Sequence, residues 1–237
     1  MDLKDLKVQI FADGADLETM VSMNAKPYIK GLTTNPTLMR KSGVLDYKKF
    51  ANDVLGQIKV KPISFEVFSD DHEEMKRQAI EIANWAPNVN VKIPITNSIG
   101  VSTVPLINEL SKSRIKLNIT AVLTIEQVAE VVEVLDPEVP SYVSVFAGRI
   151  ADTGVDPIPV MEKSLEIMKE KPKSELIWAS PRELLNLVQA NEIGCHVITA
   201  TSDILKKLDL IGKDLNQYSL ETVQMFRNDA LSSGYLI

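Results

Sequence analysis

Eight short runs rich in β-branched residues are separated along this chain by longer stretches of helical periodicity. That alternation limits the available folds more than any single residue does. The runs are VQIFAD (8–13), IKGLTTN (29–35), ISFEVF (63–68), VNVKIPI (89–95), IKLNITAV (115–122), YVSVFAG (142–148), ELIWAS (175–180) and CHVITAT (195–201). Between them lie patterns such as LDYKKFANDVLGQI, DHEEMKRQAIEIANWA, TIEQVAEVVEVL and PIPVMEKSLEIMKE, whose apolar residues recur at spacings of three and four. Strands joined through helices run parallel. A unit of about 25 to 30 residues, repeated eight times, fits a closed (β/α)₈ TIM barrel better than an open doubly wound sheet. After the eighth unit, KDLNQYSLETVQMFRNDALSSGYLI predicts an additional C-terminal helix over about 216–230. The barrel does not require this helix, which is expected to cover the mouth or to reach a neighbouring subunit. No Gly-rich linker or break in composition interrupts the chain, so one domain over 1–237 is the simplest organisation.

Composition removes several classes of function. Hydrophobic residues make up 45 % and charged residues 24 %, the proportions of a folded soluble domain. The net charge is −6 and the lysines are scattered, so no basic stripe offers itself to nucleic acid. No stretch approaches the roughly 20 apolar residues that span a bilayer, so no membrane partner is expected. A single cysteine, Cys195, excludes an internal disulfide framework and reads as a small core residue. Together these features predict a cytoplasmic protein.

Barrel enzymes carry their chemistry at the carboxyl ends of the strands, and strand alternation sorts the polar residues there by face. In VNVKIPI, Val89, Val91, Ile93 and Ile95 share the face toward the helices, which turns Asn90, Lys92 and Pro94 into the barrel. The same rule turns inward Asp13, Asn35, Glu66, Asn118 with Thr120, and Ser144 with Phe146. An amine inside an apolar barrel loses the hydration that favours its charged form. A neutral amine attacks carbonyls and forms a Schiff base, whose protonated imine draws electrons from the adjacent carbon–carbon bond. Asp13 and Glu66 are the carboxylates within reach for proton transfer, directly or through a water held with Thr120. The alternative is a structural ion pair between Lys92 and one of these carboxylates.

GLTTNPTLM (31–39), FADGAD (11–16), VKIPIT (91–96), LNITAVLT (117–124), VFAGRIAD (145–152) and WASPREL (178–184) resemble, in the same order, the transaldolase family, including its short single-domain branch and the related fructose-6-phosphate aldolases. The resemblance implies that Lys92 is the Schiff-base lysine, that Asp13 is the acid/base, and that Glu66 and Thr120 hold the catalytic water. It further implies that Asn35, Asn118 and Ser144 bind the hydroxyls of a dihydroxyacetone unit. The aldolase branch usually carries Gln and Tyr where this chain has Glu66 and Phe146, so both positions point to transaldolase. Arg149 and Arg182 resemble the family's phosphate-binding arginines, and a guanidinium fork suits phosphate oxygens.

Ser180 adds a hydroxyl nearby. SPRE also reads as a helix start, with Ser180 as N-cap, Pro181 at the first helical position and Glu183 completing a capping box. Trp178 departs from the family's small residue. By alternation it faces inward with Ser180, either filling the core or shortening the acceptor pocket, which would admit another anion such as a sulfonate. His72 and His196 lack companions at metal-ligand spacing, and no glycine-rich nucleotide motif occurs, so neither metal nor cofactor is expected. The resemblance implies small-molecule sugar phosphates as partners, a dihydroxyacetone transfer as the reaction and a homo-oligomer as the assembly. The alternatives are an aldolase that releases free dihydroxyacetone, an enzyme acting on a sulfosugar, and a noncatalytic sugar-phosphate-binding barrel.

Overall fold

The protein is described by a computed structural model over residues 3–235. The strands are β1 (Gln9–Asp13), β2 (Ile29–Thr33), β3 (Ile63–Glu66), β4 (Val89–Pro94), β5 (Leu117–Val122), β6 (Ser141–Val145), β7 (Ser174–Trp178) and β8 (Val197–Thr201). They close into one parallel barrel in sequence order, with β1 also pairing β8. The helices are α1 (Leu17–Ala25), α2 (Pro36–Lys41), α3 (Tyr47–Gln57), α4 (His72–Ala83), α5 (Val104–Lys112), α6 (Ile125–Val134), α7 (Ala147–Asp152), α8 (Ile158–Met168), α9 (Leu185–Glu192), α10 (Ser202–Leu205) and α11 (Leu215–Ser232). The fold is the expected (β/α)₈ barrel with an added C-terminal helix.

Short polar side chains start many of the helices. Asp16, Asn35, Asp46, Asp71, Thr124 and Asp214 each accept a hydrogen bond from a first-turn amide, satisfying donors that a helix start otherwise leaves open. Thr124 and Gln127 form a full capping box. SPRE does not behave this way. α9 begins at Leu185 without a side-chain cap, and the Arg182 and Glu183 amides donate instead to Asn186 Oδ1, at 2.7 and 3.2 Å. Ser180 therefore caps nothing. Its backbone lies in the left-handed region, with φ 59°, where an N-cap residue is normally extended.

Alternation along the strands divides the core in two. Outward residues such as Ile10, Leu32, Phe65, Val91, Ile119 and Val145 pack with the helices in one continuous apolar layer. Inside the barrel, Phe11, Ile177, Ala179 and Val197 form a small plug with Tyr142 and Phe146. Gly31 makes room for it, since a Cβ there would lie 2.5 Å from the Phe11 ring. Cys195 is buried at 3 % exposure, and burial pushes its thiol up to about 12, as suits a core cysteine. Trp178 is a correction. It is fully buried in the outer layer beside the helices, because its ladder partner is Val145 while Ile177 pairs with inward Ser144.

α11 matches the predicted extra helix, but it buries none of its residues and contributes none to the wall of the cavity at the mouth. Leu220, Val223, Phe226 and Leu231 are at least half exposed along it. Among the described residues, no helix is long and apolar enough to cross a membrane.

Candidate active site

The carboxyl ends of the strands surround a cavity of about 510 Å³. Its wall includes Asp13, Asn35, Glu66, Lys92, Asn118, Thr120, Ser144, Phe146, Arg149, Ser180 and Arg182. Every candidate residue read from the sequence is therefore gathered there, with the exception of Trp178.

Lys92 stands near the centre, 6 % exposed. Its Nζ lies 3.1 Å from Glu66 Oε2 and donates to the Thr34 carbonyl at 2.9 Å. Both strands direct these side chains by register, since Glu66 and Lys92 are ladder partners across β3 and β4. A charge this deep requires such partners, because an unpaired ammonium would lose its hydration without compensation. The ion pair anticipated as the structural alternative is present, and it sits on a cavity wall where a ligand can replace or use it.

Asp13 is held on a second side of the cavity. Thr33 Oγ1 donates to its Oδ1 at 2.8 Å and Asn35 Nδ2 to its Oδ2 at 3.1 Å. Burial is the largest influence on this carboxyl and raises it above the ordinary 3.8, against the lowering effects of Lys92, Thr33 and Asn35. A carboxyl tuned upward in this way is suited to holding and releasing a proton. Asn35 works twice, because its Oδ1 also accepts from Leu38 N at 2.9 Å and caps α2. Its amide cannot rotate away without uncapping that helix.

A third group fixes the amide of Asn118. Ser144 Oγ donates to Asn118 Oδ1 at 2.7 Å, and Asn118 Nδ2 donates to Ser64 Oγ at 2.9 Å. One amide hydrogen remains for a ligand hydroxyl. The buried Thr120 hydroxyl has no protein partner among the described residues. At the rim, Arg182 forks onto Asp152, Nε to Oδ1 at 2.9 Å with a second contact from Nη2 to Oδ2. Arg149 and Asp152 both lie on α7. That helix approaches the β7–α9 loop so closely that a Cβ on Gly148 would overlap the Ser180 carbonyl oxygen, so glycine is required there. Two cavity residues other than glycine, Ala121 and Ser180, have φ near 60°. Such backbone costs on the order of 1 kcal/mol or more and gathers at functional sites.

Among the polar wall residues, Thr33, Thr37, Thr199, Thr201 and Asp203 were not anticipated from sequence. Thr33 and Thr199 share a hydrogen bond of 2.6 Å, extending the support of Asp13 across β2, β1 and β8. Alternation in ITAT turns both Thr199 and Thr201 inward. Ser180 reaches the cavity for a reason alternation cannot supply. Its neighbour Ala179 also faces inward, and only the left-handed turn at Ser180 puts two successive residues on the same wall. Among the described residues, no three His, Cys, Asp or Glu side chains gather as metal ligands.

Comparison with known proteins places the chain in a family. Residues 10–234 match the family described as Transaldolase/Fructose-6-phosphate aldolase. The chain is 33 % identical over 202 residues to a probable transaldolase from Dehalococcoides mccartyi, covering 85 % of this chain and 90 % of that protein. It is 34 % identical over 202 residues to a probable transaldolase from Thermoanaerobacter sp., covering 85 % and 89 %. A probable transaldolase from Streptococcus agalactiae is 34 % identical over 193 residues, covering 81 % and 85 %.

Proposed function

The chain belongs to the transaldolase/fructose-6-phosphate aldolase family, and from that premise we propose that it moves a dihydroxyacetone unit from a ketose phosphate to an aldose phosphate through an imine on Lys92. The observation that carries this reading is the amine itself, buried yet on a cavity wall, with Glu66 Oε2 at 3.1 Å. The donor is fructose 6-phosphate or sedoheptulose 7-phosphate.

In this reading the ammonium gives a proton to Glu66, and the free amine adds to the ketose carbonyl. Loss of water leaves a protonated imine. The neighbouring carbon–carbon bond then breaks, its electron pair moves toward the imine to form an enamine, and the hydroxyl proton of the departing aldehyde passes to Asp13. The enamine attacks the acceptor aldehyde, whose oxygen takes the proton back. Water held by Glu66 and Thr120 hydrolyses the new imine, restoring the amine. Asn35, Asn118 and Ser144 hold the hydroxyls of the three-carbon unit. Arg149, Arg182 and Ser180 hold the phosphate, where paired N–H donors match its oxygens.

Glu66 and Phe146 favour transfer over release of free dihydroxyacetone. A phenylalanine on the wall has no hydroxyl with which to deliver a proton to the waiting enamine. The sulfosugar alternative rested on Trp178, and it loses that support because Trp178 lies outside the cavity. The exposed apolar side chains of α11 support a homo-oligomer built on that helix, and the single buried thiol fits a cytoplasmic setting. Transfer is tested by supplying fructose 6-phosphate with erythrose 4-phosphate and following sedoheptulose 7-phosphate and glyceraldehyde 3-phosphate. Product in equal amounts supports the reading, whereas free dihydroxyacetone formed at the same rate without acceptor supports the aldolase alternative.

A further inference from the structure

The ladder between β2 and β3 breaks off directly behind the Lys92 amine. In a parallel pair, alternate residues of one strand turn both backbone groups toward the same neighbour. On the β3 side these are positions 62, 64 and 66. Leu32 N donates to Pro62 O at 2.9 Å, and Thr34 N donates to Ser64 O at 3.3 Å. One further rung would join Pro36 N to Glu66 O and Glu66 N to Thr34 O. The first bond is impossible because proline has no amide hydrogen. The second is replaced, since the Thr34 carbonyl accepts from Lys92 Nζ at 2.9 Å.

Both stranded backbone groups of Glu66 turn to one atom instead. Glu66 N donates to the Tyr47 hydroxyl at 2.9 Å, and that hydroxyl donates to Glu66 O at 3.0 Å. Tyr47 opens α3 and contributes nothing to the cavity wall. Its ring meets Phe65, Phe68 and Trp85 edge-on, with centroids 6.1, 4.4 and 5.6 Å away, so the hydroxyl is aimed by a rigid aromatic cluster. Burial holds the phenol well above its ordinary value, which keeps it a donor throughout any ordinary assay.

We infer that Tyr47 is a positioning residue whose hydroxyl stands in for the missing rung, leaving the Thr34 carbonyl to Lys92 and fixing the backbone from which Glu66 reaches the amine. The inference rests on the proposed role of Lys92 in imine formation. It extends that reading to a residue that touches neither substrate nor amine. Without the hydroxyl, the Glu66 amide is left to compete with Lys92 for the Thr34 carbonyl.

The test compares Tyr47→Phe with Phe68→Leu, which disturbs the same aromatic cluster but removes no hydrogen bond. Borohydride trapping of the Lys92 adduct from fructose 6-phosphate, kcat and KM for transfer, Tm, and hydrogen exchange at the Glu66 amide are measured in both. Tyr47→Phe is expected to slow trapping and kcat by about tenfold or more, with KM within about twofold, and to speed exchange at the Glu66 amide. Phe68→Leu is expected to lower Tm and to reduce kcat and trapping clearly less than Tyr47→Phe does. Equal loss of kcat in both variants, or unchanged trapping in Tyr47→Phe, would overturn the inference. A folded wild type that forms no Lys92 adduct would overturn the transfer reading instead. Glu66 exchange would then decide whether Tyr47 supplies the rung.

Discussion

The two ends of the barrel carry cavities of nearly equal size, about 510 Å³ at the carboxyl end and about 490 Å³ at the amino end. Polar side chains stand in both walls, and the two ends use them differently. At the amino end, Lys59, Lys116 and Lys173 stand among Pro62, Pro87 and Pro140, and the polar groups hold turns together or face solvent. Asn88 Nδ2 donates to the Ile58 and Lys61 carbonyls at 3.0 and 2.9 Å. Lys116 donates to the Pro87 carbonyl, and Lys173 pairs at 2.6 Å with exposed Glu138. At the carboxyl end, the cation is 6 % exposed, a carboxylate is shifted by burial, and two wall residues hold strained backbone. Cavity size does not distinguish a site from a structural hollow here. Buried charge that the fold must arrange and support does.

The contrast predicts substitutions of graded effect. Lys92→Met should abolish transfer, a loss of about a thousandfold or more because among the described residues no other amine lines that cavity, while the circular dichroism of the barrel persists. Retained turnover would merge the two ends into one category. Next in size, Glu66→Gln with Phe146→Tyr should raise the ratio of acceptor-independent release to transfer by several-fold, on the order of 1 kcal/mol in relative barrier. An unchanged ratio would show that those two positions do not choose between transfer and release.

Asp13 gives a smaller effect, read as stability against pH. Its native carboxyl is raised above 3.8, chiefly by burial, so the folded state binds that proton more tightly than the unfolded chain does. The ionised group therefore costs stability above its native value, and that cost disappears as pH falls toward and below 3.8. The Tm of wild type minus that of Asp13→Ala should move in favour of wild type as pH falls from neutral through this window. A constant gap would remove burial as the dominant influence. The smallest effect belongs to the amino end. Glu175 accepts from Gln9 Nε2 at 2.7 Å, and Glu175→Gln should leave kcat/KM within about twofold and change stability by about 1 kcal/mol or less. A large kinetic loss there would show that the far cavity communicates with the chemistry.

The barrel was legible in the sequence because each strand had to present an apolar outer face to the helices, and this wrote period two into eight separate runs. Lys92 was legible for the same reason, as a cation in a strand whose alternate residues are all apolar. Strand ends were less so. The second run extends through Asn35, but β2 ends at Thr33: Thr34 N still donates to Ser64 O, after which Asn35 caps α2 and Pro36 brings no donor for a further rung. Trp178 shows where parity fails. The polar Ser180 suggests the inward face of β7, although Ser180 reaches the cavity through its left-handed backbone and the inward residues are Ile177 on the strand and Ala179 just after it. Tyr47 carried no sequence signal at all, since its hydroxyl meets Glu66 only when α3 is laid beside the end of the β2–β3 ladder.

The most direct measurement is peptide mapping after incubation with fructose 6-phosphate and reduction with borohydride. A three-carbon adduct on Lys92, absent from Lys59, Lys116 and Lys173, is the predicted result. A folded protein with no adduct on Lys92, or with equal labelling of the amino-end lysines, would contradict the assignment of imine chemistry to the buried amine.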